Sequence, residues 1–134
     1  MSRLTIFLAR YIGLFTVLLI AALLVRGGAM IQAAVADGPV MLTYGILSLA
    51  SGLAMVLGHN VWSGGALPVV VSLVGWLILA KGLLLLFLTP AATTRFFEGM
   101  HYGDHIYLYL APALVLGLYL TWAGFAAPTP RASS

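Results

Sequence analysis

With 134 residues, 63% of them hydrophobic and 7% charged, the chain falls far below the roughly 25% charged residues of an ordinary soluble domain, so a water-facing surface cannot be assembled from it. The absence of cysteine excludes disulfides and thiolate metal sites. The formal net charge of +3 comes from scattered basic residues, and reads as helix-end anchoring and topology, with no nucleic-acid partner.

The first apolar run is Tyr11 to Val25, bracketed by Arg10 and Arg26; both arginines can snorkel outward to complete a span over about 6–26. Gly27 and Gly28 end it. A basic start, an apolar core and Ala34-Val35-Ala36 before Asp37 also resemble a cleavable secretory signal; Arg26 directly after the core is awkward for that, and a retained helix is expected. Between Gly38 and Ala80 there is no charged residue, about twice the roughly 20 residues that one helical span needs. Pro39 opens a second span over 40–58, and the turn "GHNVWSGGALP" leads to a third over 68–89, stopped by Thr89 and Pro90. The fourth covers 106–126, followed by a breaker-rich flexible tail over 127–134. Segments 27–39 and 90–105 are expected as interfacial connections. Tyr102, Tyr107 and Tyr109 near one end of the last span, with Tyr119 and Trp122 near the other, are spaced as interfacial aromatic belts.

An internal repeat is the most informative pattern. "YGILSLASGL" (44–53) and "YLAPALVLGL" (109–118) share Tyr, Leu and Gly-Leu at an offset of 65. In the preceding spans Gly13 corresponds to Gly75, and the stop at Gly28 to that at Pro90. The expected fold is therefore an all-α polytopic membrane protein, a single membrane domain of four transmembrane helices arranged as two tandem, parallel helical hairpins. Small residues recur on the helical faces: Gly45, Ser48 and Gly52; Ser72, Gly75 and Gly82; Ala113, Gly117 and Gly124. They allow close backbone approach where lipid offers no hydrophobic drive for association.

The stretch "GHNVWSGGALPVVVSLVGWLILAKGLLLLFLTP" resembles a group of small bacterial inner-membrane proteins with a His-Asn-x-Trp turn, then Gly-Trp and Lys-Gly in the next helix. Here these are His59, Asn60, Trp62, Gly75, Trp76, Lys81 and Gly82. The resemblance implies a four-helix fold and a bacterial inner membrane, and carries no activity.

Few polar residues need an explanation. Lys81 lies nine residues before Pro90, roughly 13 Å from that helix end, where a lysine costs up to about 3 kcal/mol on insertion scales. Either it stretches toward the 90–105 side, or it pairs with Glu98 or Asp104 in a buried ion site. Glu98, His101 and His105 could share one helical face as metal ligands, although Gly99 and Gly103 argue against a firm helix there, and no metal or other cofactor is expected. His59, Asn60 and Trp62 read as a helix end with tryptophan at headgroup level, or as a recognition surface. Antiparallel threading puts His59 about 30 Å from His101 and His105, which excludes a bis-histidine haem between them within one chain. Serine nucleophile arrangements, phosphate-cradling loops and paired catalytic carboxylates are missing.

The expectation is a non-enzymatic membrane protein, packing with itself as a homo-oligomer or serving as an accessory subunit to other membrane proteins. The competing class is a small homo-oligomeric transporter or channel using Lys81. Four spans require reporter fusions at residues 62 and 97 to fall on opposite sides of the membrane; the same side for both contradicts four spans.

Overall fold

The first helix starts where a hydroxyl can cap it. Ser2 Oγ accepts the Thr5 N–H at 3.1 Å, and α1 runs Arg3–Arg26. It ends at Gly27, whose φ of 87° is a left-handed-region value that a side chain would resist. The expected connection then contains a nine-residue helix, α2 (Gly28–Ala36). Asp37 caps α3 (Gly38–Gly58), its Oδ1 accepting the Val40 N–H at 3.0 Å, with Pro39 in the first turn where its missing donor costs nothing. A turn through Gly64 and Gly65, both at positive φ, leads to α4 (Ala66–Phe87). The last helix, α5 (Ile106–Ala126), contains Pro112. This computed structural model describes residues 2–89, 91–92, 95, 99 and 106–128. Glu98, His101, Asp104 and His105 lie outside the described residues.

The protein is all-α. Among the described residues α1, α3 and α4 are each long and apolar enough to cross a membrane, and α5 contributes a shorter apolar stretch, Leu110–Ala126. At 1.5 Å per residue, the 24, 21 and 22 residues of the three long helices reach about 30–36 Å, matching a hydrocarbon core of about 30 Å.

Packing is concentrated in two antiparallel pairs, α3 with α4 and α1 with α5; α1 and α4 then join the pairs side by side. The helices that follow one another as expected hairpins, α1 with α3 and α4 with α5, touch only lightly. The small residues supply the physical reason, because they sit where the two intimate pairs cross. A Cβ on Gly52 would collide with the Leu79 backbone, 2.5 Å from its Cα, and one on Gly82 would lie 2.7 Å from the Leu49 Cα. On the other pair, a Cβ on Gly13 would stand 2.5 Å from Thr121 N, and one on Gly124 3.0 Å from Arg10 N. Gly45, Ser48, Gly52, Ser72, Gly75, Gly82, Gly117 and Gly124 are all buried. Ser48 adds a hydrogen bond to the close approach, donating to Ile78 O at 2.9 Å.

The two pairs share a core of Ala9 and Ile12 from α1, Met55 from α3, Val71 and Val74 from α4, and Leu120 from α5. These residues cluster toward the end of the bundle that holds the N-terminus and the 58–66 turn.

Backbone contact at Gly52 and Gly82 leaves no flexible side chain to yield. Gly52→Ala and Gly82→Ala are each expected to lose about 1–3 kcal/mol, the usual cost of overpacking. Gly58→Ala, with nothing within 4 Å of the added carbon, should be neutral or slightly stabilising. Thermal unfolding in mild detergent measures all three.

Candidate functional site

At the end of α3, His59 donates its backbone N–H to Met55 O at 2.6 Å and turns its ring inward, to 3% exposure. Nδ1 lies 3.1 Å from Ser72 Oγ on α4, and Nε2 2.8 Å from Thr5 Oγ1 on α1. One imidazole thus ties three helices. Proton accounting assigns the directions. Ser72 Oγ accepts the Val61 N–H at 2.9 Å and donates to Val61 O at 2.8 Å. Its one proton is then spent, so Nδ1–H donates to Ser72, and in a neutral imidazole Nε2 accepts from the Thr5 hydroxyl. Thr5 Oγ1, 2.8 Å from Ser2 Oγ, accepts from Ser2 in turn. The neutral Nδ1–H tautomer therefore satisfies the whole chain Ser2–Thr5–His59–Ser72. Among the described residues no buried side-chain nitrogen or oxygen lacks a partner.

Next to this buried network the turn is open. Asn60 Oδ1 accepts from two exposed indoles, Trp62 Nε1 at 2.6 Å and Trp76 Nε1 at 3.3 Å. Asn60 therefore ties the turn to α4 from outside while His59 ties it from inside.

Arg10 is half-buried on α1 and donates Nε–H to Gly124 O at 2.8 Å, its guanidinium 4.7 Å from the Phe125 ring. The chain explains the orphaned carbonyl. Gly124 O would ordinarily accept from the N–H four residues on, but that residue is Pro128, which has none. The positive charge also suits the carbonyl end of α5.

Lys81 is exposed on α4. Its Nζ donates to Tyr44 OH at 2.6 Å while lying 4.7 Å from the Tyr44 ring centroid. Together the two distances place the ammonium beyond the hydroxyl, not over the ring face, so the hydrogen bond is the contact that matters. Helix register shows which way the lysine leans. Gly82 meets Leu49, and Gly45 meets Leu86, so Lys81 is level with Ala50 and Tyr44 sits about six residues, or roughly 9 Å, nearer the α3 start. The side chain leans toward the end of the bundle that carries Asp37 and Thr89. Asp37, the one carboxylate among the described residues, caps α3. Of the expected set Lys81, Glu98 and Asp104, the structure places Lys81 alone; His101 and His105 are likewise outside the described residues, among which no cluster of metal-binding side chains occurs.

The hydroxyl partners were missed by sequence reasoning. Thr5 is 54 residues from His59, and its only local signal is the Ser2 cap one turn earlier. Tyr44 stood out as the first residue of a repeat, not as a partner for Lys81.

These features define an all-helical protein with three candidate membrane-spanning helices, a buried histidine–hydroxyl chain at one end and an exposed lysine–tyrosine pair toward the other. No family model, curated protein or solved structure matches the chain.

Loss of Ser72 strands three groups, the Val61 N–H, the Val61 C=O and His59 Nδ1–H, whereas loss of the Thr5 hydroxyl strands His59 Nε2 and the Ser2 hydroxyl, which lies close to the surface. With about 1–3 kcal/mol per unsatisfied buried group, Ser72→Ala should lower stability more than Thr5→Val. Detergent melting curves of the two single variants give the order.

Proposed function

We propose that the chain is a non-enzymatic integral membrane protein of a bacterial inner membrane, with four spans and both termini on the cytoplasmic side, serving as an accessory or structural subunit of a larger membrane assembly. The observation that carries this reading is how its small and polar side chains are used. Glycines and Ser48 seat the helix crossings, and Thr5, Ser72 and His59 bind one helix to the next. They serve to hold a shape.

The fourth span is α5, antiparallel to α1 over most of its length. A duplicated hairpin is supported by contact register. Gly117 on α5 meets Thr16 and Val17 on α1; Gly52 on α3, its counterpart 65 residues earlier, meets Ile78 and Leu79 on α4, the counterparts of 16 and 17 shifted by 62. Gly124 meets Arg10, and the corresponding residues His59 and Ser72 are hydrogen-bonded. On this reading each copy is a span, a connection and a span, the copies are parallel, and the first helix of each packs on the second helix of the other. Orientation follows from Arg3, Arg10 and Arg131 on the terminal side against Arg26 and Arg95 on the other.

Since the small-residue faces are filled within the chain, a partner must meet another surface. Phe7, Tyr11 and Phe15 stack along α1 with ring centroids 6.0 and 6.2 Å apart and are 60%, 59% and 56% exposed. This ladder offers a preordered face for a second membrane helix. The transporter alternative would need Lys81 on a polar path; its hydroxyl partner and outward lean favour the subunit reading.

Affinity purification in mild detergent followed by mass spectrometry tests the role. A membrane protein recovered in constant ratio with the chain, and lost on replacing Phe7, Tyr11 and Phe15 by leucine, is the expected result. Recovery of the chain as a lone monomer would contradict the proposal.

A further inference from the structure

We infer that water enters the bundle between its two helix pairs, along a crevice that opens at the α2 end and stops blind below the level of Lys81. This rests on the membrane-spanning reading above. Two matching stripes of side chains show where the pairs part. Residues seven apart on a helix stand nearly one above another, two turns on. On α1 such a stripe is Thr5, Ile12, Leu19 and Arg26; on α4 it is Leu67, Val74 and Lys81, each 62 residues after its counterpart. The stripes face each other, since Ile12 and Val74 belong to the core that joins the pairs.

At the first two levels both sides are enclosed. Thr5 and Leu67 are 2% and 5% exposed, and Ile12 and Val74 are 8% and 7% exposed. Seven residues further, roughly 10 Å along the helices, Leu19 is 41% exposed. Its counterpart Lys81 is exposed too, as is Arg26 one step beyond. Stripes that cover each other at two levels and lie open together at the third require α1 and α4 to diverge past Ile12 and Val74. Tyr44 adds a wall from α3, where its hydroxyl accepts from Lys81 Nζ at 2.6 Å.

What fills the gap follows from the lysine. Ionisable side chains within membrane-spanning segments face the bundle interior or a water-filled cavity, because hydrocarbon offers an ammonium no acceptor. An exposed ammonium held at this level draws water down the crevice, and Arg26 keeps the entrance polar. The floor, Ile12 and Val74, is apolar and closed, so no path crosses the bilayer, which agrees with the subunit reading. The crevice therefore lets water and small hydrophilic solutes reach Lys81 from one side only.

The cysteine-free chain permits a test with neighbouring residues of equal depth. Leu18 is 67% exposed on the face of the aromatic ladder, eleven residues or three turns after Phe7, whereas Leu19 lines the crevice. Full chains carrying Leu18→Cys or Leu19→Cys, in opened native membranes, are treated with a sulfonate-bearing thiol reagent too polar to enter hydrocarbon. Labelling after denaturation in strong detergent sets the full signal for each. Leu19→Cys should be labelled and Leu18→Cys should not, and adding Lys81→Leu to Leu19→Cys should remove most of the labelling. Labelling of neither, or of Leu18→Cys alone, overturns the crevice and leaves lipid in the gap. Labelling of Leu19→Cys that persists with Lys81→Leu overturns the part given to the lysine. Labelling of both positions alike would instead overturn the membrane-spanning reading itself.

Discussion

Backbone-to-backbone contact at glycine is the constraint on which the rest of this structure depends. In lipid, apolar side chains gain nothing by leaving one apolar environment for another, so helices associate through close van der Waals fit and hydrogen bonds between them. Gly52 and Gly82 do this for α3 and α4, and Gly13, Gly117 and Gly124 for α1 and α5. Once backbones are that close, short polar side chains can reach across. Ser48 reaches Ile78 O, and Arg10 reaches Gly124 O. The glycines thus determine which helices pair, and the pairing determines which polar groups can meet.

The polar side chains are sorted by depth as a bilayer would require. Thr5, His59 and Ser72 are enclosed near one end, where each donor and acceptor has a protein partner. Leaving such groups unpaired in hydrocarbon would cost several kcal/mol each, by order of magnitude. Lys81 solves a different problem. It is exposed within α4, and its length carries the charge toward the helix end, where Tyr44 receives it. A shorter cation could not make that reach.

Much of the architecture was legible because composition and run length are strong signals in so apolar a chain. The start of α3 at Pro39 and the stop of α1 at Gly27 follow from elementary helix-end chemistry. The glycine and serine faces could also be read, since their spacing is local. What could not be read is which face meets which. The repeat suggested helices paired within each hairpin, yet the intimate contacts run between α1 and α5 and between α3 and α4, because a one-dimensional periodicity says that a face is small but not what fills it. For the same reason His59 could be recognised as a helix end, while its partners Thr5 and Ser72, on two other helices, could not. The α2 helix was hidden within an expected connection because "GAMIQAAVA" is too short to stand out by length.

The pairing of α1 with α5 is the central claim, and the cysteine-free sequence allows it to be tested without background. Thr16→Cys with Gly117→Cys places two sulfurs where a Cβ on Gly117 lies 3.1 Å from Thr16 Cβ, within reach of the roughly 3.5–4.5 Å that a disulfide spans between Cβ atoms after slight adjustment. With a protease site inserted in the 90–105 connection, oxidation in native membranes and cleavage should leave the two fragments joined until reductant is added. A second pair, Thr16→Cys with Ser51→Cys, probes contact within the first hairpin, and a protease site in the 27–39 connection reads it. Fragments joined by the first pair and separated in the second are the predicted result; the reverse would contradict the account.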